Sequence, residues 1–184
     1  MYLDHQNDSI DLALRLKWCR QSAEAIRYIH EKGVIHSDLR PENYLLHTSS
    51  NYFLDLYLCD FGGSVCGNID GGNLPDFGFF DPNEPWTSTP ATDIFSLGSI
   101  FYTIMTGHWP HKSFGAFETV EEKSRYEERV DDLFRKGNWP NVEGIVGGII
   151  MYGCWTKELK TAEDIMCAQG KHLPATLEKG HSTN

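Results

Sequence analysis

The sequence predicts a mainly α-helical fold that carries one small β-hairpin, and three observations point to it. Residues 9–32 repeat apolar side chains at helical spacing. Residues 91–106 form a strongly apolar run followed by Gly107, a residue type that commonly ends helices. Two short strand-like runs, residues 44–47 and 52–59, flank a polar turn. With 184 residues, 40% of them hydrophobic, the chain is long enough to bury one core.

Composition and charge narrow the classes of protein to which the chain can belong. Its 16 basic and 26 acidic residues give a formal net charge of −10, which argues against a nucleic-acid partner. No run approaches the roughly 18 apolar residues of a membrane span, and the acidic, polar N-terminus is unlike a signal peptide. Five cysteines without a C-x-x-C pair favour free thiols in a reducing compartment. We therefore expect a cytoplasmic protein without a membrane partner.

The first predicted helix spans residues 9–32. Asp8 or Ser9 is suited to cap its start, and Gly33 is suited to end it. Its apolar face consists of Leu12, Leu16, Cys19, Ala23, Ile26 and either Ile29 or His30. A face of this kind indicates a helix that packs against the core.

A short polar loop follows this helix, within residues 33–46 (GVIHSDLRPENYLL). Apolar pairs on both sides suit buried flanks that hold a loop rigidly. The chemistry-bearing residues of this loop are His36, Asp38, Arg40 and Asn43.

The hairpin of residues 44–59 sets this loop at one end and Asp60 at the other. Asp38, Asn43 and Asp60 then meet at a common edge, and their oxygen atoms are the ligands that Mg²⁺ prefers when it also binds phosphate. The sequence therefore predicts a magnesium site at this edge.

The rest of the chain predicts a long loop and further helices. Residues 62–90 are rich in Gly, Asp, Asn and Pro, which predicts a mobile loop, and Thr89 or Thr92 is suited to cap the next helix. The helices expected after that one cover residues 117–136, with Tyr126, Val130, Leu133 and Phe134 on the apolar side, then 144–155 and 161–169. We expect one domain over residues 1–170 and a flexible tail over residues 171–184.

Two motifs in this order resemble a known family. HSDLRPEN at residues 36–43 resembles the protein-kinase catalytic loop, H-R-D-L-x-x-x-N, and Asp60-Phe61-Gly62 resembles the D-F-G that follows it. The resemblance covers nearly the whole chain but only the larger, C-terminal lobe of a kinase, and the general pattern is similar to kinase-like proteins of filamentous fungi. It implies a kinase large lobe whose β-hairpin carries the catalytic loop and D-F-G, without an N-terminal lobe.

The resemblance also implies roles for individual residues. Asp38 would orient the attacking hydroxyl and accept its proton, and Arg40, where the family usually has lysine, would hold the transferring phosphoryl group. Asn43 and Asp60 would bind Mg²⁺, and Leu45 would lie against the adenine of ATP from below. The cofactors implied are therefore ATP and Mg²⁺.

Three further residues have structural roles under this resemblance. His36 and Phe61 would be core residues. Asp93 would bind the backbone of the catalytic loop from below; the alternative is a second cap of its own helix.

Two features depart from the family pattern. Ser37 stands where the family has the arginine that meets a phosphorylated activation loop, so the loop must be ordered in another way. In place of A-P-E the chain has Pro82-Asn83-Glu84-Pro85, and Glu84 is the candidate for the family's glutamate. The arginine that would pair with it is not obvious, and Lys160 is taken as the nearest basic residue.

The functional alternatives follow from what precedes the catalytic loop, where there is no G-x-G-x-x-G and no V-A-I-K lysine. The first is a split kinase that transfers the γ-phosphoryl of ATP only when a partner chain supplies an N-lobe. Its acceptor would be a hydroxyl on a protein Ser/Thr or on a small metabolite, where phosphate could prepare an elimination. The others are a catalytically silent scaffold and a fragment of a longer kinase. We expect the isolated chain to lack appreciable kinase activity and to bind nucleotide weakly.

Overall fold

The computed structural model describes residues 7–48, 54–112 and 117–173, which form a mostly helical fold, as predicted. The α-helices in these ranges are α1 (Leu12–Glu31), α2 (Pro90–Thr106), α3 (Val120–Arg135), α4 (Gly148–Trp155) and α5 (Ala162–His172). The strands are β1 (Val34–Ile35), β2 (Tyr44–Thr48), β3 (Leu54–Leu58), β4 (Val65–Cys66) and β5 (Ile69–Asp70). No helix in the described ranges combines the length and the apolarity needed to cross a membrane.

Helix α1 begins later than the sequence predicts. Its cap is Asp11, whose carboxylate accepts the amide of Leu14 at 2.8 Å. The predicted caps, Asp8 and Ser9, are wrong because both belong to a preceding 3₁₀ turn. Leu12 is 44% exposed because it is the first residue of the helix, whereas the rest of the predicted apolar face packs inward.

Helix α2 lies at the centre of the core and is buried along most of its length. It begins with a capping box between Thr89 and Thr92 and ends at Gly107, which has a φ of +84°. Close packing against α4 requires glycine in mid-helix, since a Cβ at Gly98 would lie 2.8 Å from Cβ of Cys154. This helix therefore forms the support on which the neighbouring elements are assembled.

Strands β2 and β3 pair antiparallel, with Tyr44 opposite Leu58 and Thr48 opposite Leu54. Their inward side chains pack on the core, and the indole N–H of Trp18 in α1 donates to the carbonyl of Leu54 at 3.1 Å. The hydroxyl groups of Tyr44 and Ser22 lie 2.6 Å apart. The hairpin is thus fastened to α1. The predicted turn over residues 49–51 and residues 52–53 lie outside the described residues.

Part of the predicted 62–90 loop is a small sheet, so that part of the prediction was wrong. Strand β4 pairs antiparallel with β1, where Ile35 lies opposite Val65, and also with β5. These strands have two residues each, too few to produce a recognisable alternation in the sequence. The pairing attaches the start of this segment to the residues just before the catalytic loop.

The late helices differ from prediction at their ends. Helix α4 begins at Gly148 rather than at residue 144, because Gly144 and Gly147 have φ values of +75° and +81° and interrupt the helix. Helix α5 continues to His172, so the predicted tail does not begin at residue 171. Residues 174–184 of that predicted tail lie outside the described residues.

Candidate active site

The backbone of the catalytic loop is hydrogen-bonded to the fully buried carboxylate of Asp93 in α2. The backbone amides of His36 and Ser37 donate to its two oxygens at 2.8 and 2.9 Å. Nε2 of His30, near the end of α1, lies 2.8 Å from the same carboxylate. A buried charge requires partners of this kind. Ser37 has a φ of +69°, so the chain makes a sharp turn directly before Asp38.

Asp38 and Asn43 contact each other directly. The side-chain amide of Asn43 donates to the carbonyl oxygen of Asp38 at 2.7 Å and to its carboxylate at 3.2 Å. Both residues are buried. Burial raises the pKa of the Asp38 carboxyl, while the nearby Arg40 guanidinium and the Asn43 hydrogen bond act in the opposite direction. Asn43 therefore fixes the carboxylate while its own oxygen stays available for another ligand.

Asp60 is tied to this pair through the residue before it. The amide of Cys59 donates to the carbonyl of Asn43 at 2.9 Å, and the carbonyl of Cys59 lies 3.0 Å from Nε2 of His36. Asp60 itself is exposed, has a φ of +60°, and accepts the amide of Gly62 at 3.3 Å. The structure thus brings the loop bearing Asp38 and Asn43 next to the strand end that bears Asp60.

The donor set fits a magnesium ion that shares phosphate ligands better than a metal held by protein alone. Within the described ranges no group of three His, Cys, Asp or Glu residues is arranged to hold a metal ion. Mg²⁺ keeps several waters and takes one or two carboxylates together with substrate phosphates. An amide oxygen from Asn43 and a carboxylate from Asp60 match that requirement.

Arg40 lies between two carboxylates. Its Nη1 donates to Asp76 at 3.3 Å, and its Nε lies 3.8 Å from the Asp38 carboxylate. Nε is buried and has no hydrogen-bond partner among the described residues. The guanidinium is therefore held in one orientation beside the predicted base.

Two other predicted site residues, Leu45 and Phe61, are exposed. Leu45 is 56% exposed and pairs across the hairpin with Tyr57, which is 53% exposed. Phe61 is 46% exposed, so its prediction as a core residue was wrong. Its ring centroid lies 5.0 Å from that of His36, which is fully buried as expected. Phe61 begins a 3₁₀ turn next to the exposed Asp60, which leaves its ring partly open to solvent.

Sequence reasoning missed the basic partner of Glu84. Nζ of Lys157 contacts the carboxylate of Glu84 and lies 2.8 Å from the buried carboxylate of Asp81. Lys160 does not fill this role as predicted; its backbone amide donates to the carboxylate of Asp164 in the first turn of α5, which Thr161 caps. Partial burial lowers the pKa of Lys157, but Asp81 and Glu84 outweigh it and raise the pKa overall. No signal near Lys157 in the sequence identifies it as this partner, because Glu84 lies 73 residues away.

Comparison with known proteins gives a consistent result. A family model described as the protein kinase domain matches residues 2–167. The chain is 36% identical to an Aurora kinase of Patiria pectinifera over 117 residues, which make up 58% of this chain and 26% of that protein.

It is also 33% identical to the calcium/calmodulin-dependent protein kinase cmkA of Emericella nidulans over 113 residues, or 56% of this chain and 26% of that protein. The matched region thus spans about a quarter of the length of both curated relatives. Since the family model covers most of the 184 residues, the chain belongs to the protein kinase domain family.

Proposed function

We propose that this chain is the large-lobe half of an ATP-dependent phosphotransferase. It transfers the γ-phosphoryl group of ATP to a hydroxyl when a partner chain supplies an N-lobe over the nucleotide. The observation that carries this proposal is the double hydrogen bond from Asn43 to Asp38, next to the strand end that bears Asp60. A purely structural loop has no need to gather these oxygen atoms next to the exposed Asp60.

Each residue has a separate task in the proposed reaction. Asp38 accepts a hydrogen bond from the acceptor hydroxyl and takes its proton as the new P–O bond forms, while the bond from the γ-phosphorus to the bridging oxygen breaks and ADP leaves. Asn43 and Asp60 supply oxygen ligands to Mg²⁺, which neutralises phosphate charge when it is bound. Arg40 offers guanidinium N–H groups to the transferring phosphoryl oxygens, and this charge persists at every relevant pH.

The need for a second lobe is supported by the exposed face of the hairpin. Leu45 and Tyr57 lie side by side with more than half of each side chain exposed, and Phe61 is nearly half exposed. Apolar side chains gathered near a polar site are typical of an interaction surface. The proposed partner surface is accordingly apolar and covers Leu45 and Tyr57 together with the adenine.

A catalytically silent binding module is the second candidate, and it uses the same exposed side chains. It is favoured by the burial of Asp38 and Asn43, which are 7% and 3% exposed and hydrogen-bond to each other. In that case Asp38 and Asn43 stabilise the loop without reacting, and Leu45 and Tyr57 dock a complete kinase.

The test is transfer of a labelled γ-phosphoryl group by the chain, with and without candidate N-lobe chains. Both protein Ser/Thr acceptors and small hydroxyl-bearing metabolites are supplied. Transfer that requires the N-lobe chain and is lost in Asp38→Ala, but kept in the surface control Asp132→Ala, supports the split enzyme. Complex formation without transfer, at equal strength for Asp38→Ala and wild type, assigns the binding module instead. If the DNA upstream of the Met1 codon encodes an N-lobe in the same reading frame, the two halves belong to one polypeptide.

A further inference from the structure

The ion pair between Arg40 and Asp76 joins the catalytic loop to the segment that follows D-F-G. Arg40 is the only lysine or arginine in residues 33–46. Ser37, the residue between His36 and Asp38, is uncharged and fully buried. Within the described catalytic loop, Arg40 is therefore the cation that can reach this segment.

Residues 71–80 are anchored at both ends, and Asp76 lies between the anchors. At the start, the amide of Gly71 donates to the carbonyl of Ser64 at 3.1 Å. At the end, Phe79 is fully buried, and the hydroxyl of Ser96 donates to its carbonyl at 2.6 Å. The stretch between these anchors contains Gly72 and Gly78, both with positive φ, so its backbone needs additional fixing.

We infer that Asp76 is a positioning residue that orders residues 71–80 without phosphorylation by binding the guanidinium of Arg40. This inference rests on the proposed function, because it assigns the unmodified segment a fixed position beside the acceptor site. Asp76 also fixes Arg40, since one guanidinium nitrogen is bound to Asp76 while Nε lies 3.8 Å from Asp38. The Arg40–Asp76 contact thus acts on both the segment and the group that would meet the phosphoryl oxygens. It acts beside the hydrogen bonds that the Gly72 amide donates to Asp70 and the Ser88 hydroxyl donates to the carbonyl of Asn73.

The contact has the properties of an ordering interaction rather than of a loose surface pair. The Arg40 and Asp76 side chains are only 33% and 28% exposed. Partial burial reduces the screening of this ion pair by salt, and the neighbouring negative charge of Asp38 helps to fix the orientation of the Arg40 guanidinium. By comparison, the Asp132–Lys136 pair on α3 has side chains 58% and 61% exposed, which makes it a suitable control.

The experiment measures backbone amide exchange of the 184-residue chain by mass spectrometry, without nucleotide or partner. In Asp76→Asn, peptides that cover residues 71–80 are expected to exchange about fivefold faster than in wild type. Peptides that cover residues 83–88, which lie beside the Lys157 contact, and peptides from α2 are expected to exchange as in wild type. Asp132→Asn is the matched control and changes none of these peptides.

Two further variants separate a positioning role from general loosening. Asp76→Glu keeps the negative charge and is expected to protect residues 71–80 from amide exchange as in wild type. The charge-swapped double variant, Arg40→Asp with Asp76→Arg, is expected to recover part of this protection. Wild-type exchange of residues 71–80 in Asp76→Asn overturns the inference, and so does faster exchange that Asp76→Glu fails to reverse. Amide exchange is measured without phosphoryl transfer, so the two proposals can fail separately. If no transfer is found but protection of residues 71–80 still depends on Asp76, only the proposed function is wrong.

Discussion

The carboxylate of Asp93 accepts the backbone amide of His36 at 2.8 Å, although the two residues lie 57 positions apart in the chain. The other oxygen of the carboxylate accepts the next amide, that of Ser37, at 2.9 Å. Helix α2 therefore fixes two consecutive residues immediately before Asp38. The position of the proposed base depends on a buried residue that lies below the loop and outside the proposed reaction.

Asp93→Asn is expected to lower the free energy of unfolding by about 3 kcal/mol. Hydrogen bonds to a charged group contribute about 1.5–3 kcal/mol each, and the asparagine amide can present only one oxygen to the donors that now surround the carboxylate. Urea unfolding measures the change. Asp132→Asn, on the exposed face of α3, is the control and is expected to change stability by less than about 0.5 kcal/mol. Equal stability of the two variants would show that the Asp93 contacts contribute little.

Lys157→Ala is expected to destabilise the protein by about 1–2 kcal/mol, because it leaves the buried carboxylate of Asp81 without its cation. The Glu84 contact is expected to contribute less, since that side chain is about half exposed. Thermal and urea unfolding of Lys157→Ala and Lys160→Ala provide the comparison. A greater loss in Lys160→Ala would restore the pairing predicted from the sequence.

Local signals explain what the sequence predicts well. The capping residues Thr89 and Thr92 and the terminal Gly107 are adjacent to the helix that they bound, and the predicted limits of α2 agree with the structure to within one residue. Asp38 and Asn43 are only five residues apart, so their proximity follows from one short loop. Predictions of this kind depend on neighbours in sequence.

Contacts that depend on the assembled fold were not predicted. Glu84 and Lys157 are 73 residues apart, and nothing near either residue in sequence identifies the other as its partner. Phe61 was predicted to be a core residue from the kinase resemblance, but it begins a 3₁₀ turn next to the exposed Asp60 and is 46% exposed. The β1–β4 pairing was missed because two-residue strands have no measurable period.

Asp55 is expected to contribute to stability in a pH-dependent manner. Hydrogen bonds from Lys17 and Gln21 lower the pKa of its carboxyl below the ordinary value of 3.8. A carboxyl with a lowered pKa in the folded state stabilises the fold above its ordinary value, and this contribution is lost as the pH falls through the lowered value. Urea midpoints at about pH 6 and about pH 3 are therefore expected to differ less in Asp55→Asn than in wild type. If the difference between the two urea midpoints is the same in Asp55→Asn as in wild type, the contact of Asp55 with α1 does not control stability in acid.

The five cysteines are expected to react with an alkylating reagent in a fixed order. Cys66 and Cys167 are exposed, whereas burial raises the pKa of both Cys19 and Cys154 and hides their sulfur atoms. Cys59 is intermediate, and burial raises its pKa while its thiol donates to the carbonyl of Asn43 at 3.2 Å. Mass spectrometry of the folded chain is expected to show labelling of the exposed pair first, and early labelling of Cys154 would contradict the packing of α4 against α2.

The double substitution Leu45→Ser with Tyr57→Ser is expected to leave the folded chain intact but to abolish transfer that depends on an N-lobe chain. Both side chains are more than half exposed, so their removal sacrifices little burial within the chain. Leu45 and Tyr57 pair across the two strands and therefore lie together on the outer face of the hairpin, where one partner surface would cover both side chains. Unfolding temperature and partner-dependent phosphoryl transfer are measured on the same preparations.

Ile149→Ser, a change at a residue of α4 that is 62% exposed, is the matched control and is expected to retain transfer. Loss of transfer in both variants would indicate a general sensitivity to lost surface apolar groups. Full transfer in the hairpin variant would place the partner surface elsewhere, because a docking face that includes Leu45 and Tyr57 cannot tolerate two polar replacements at its centre.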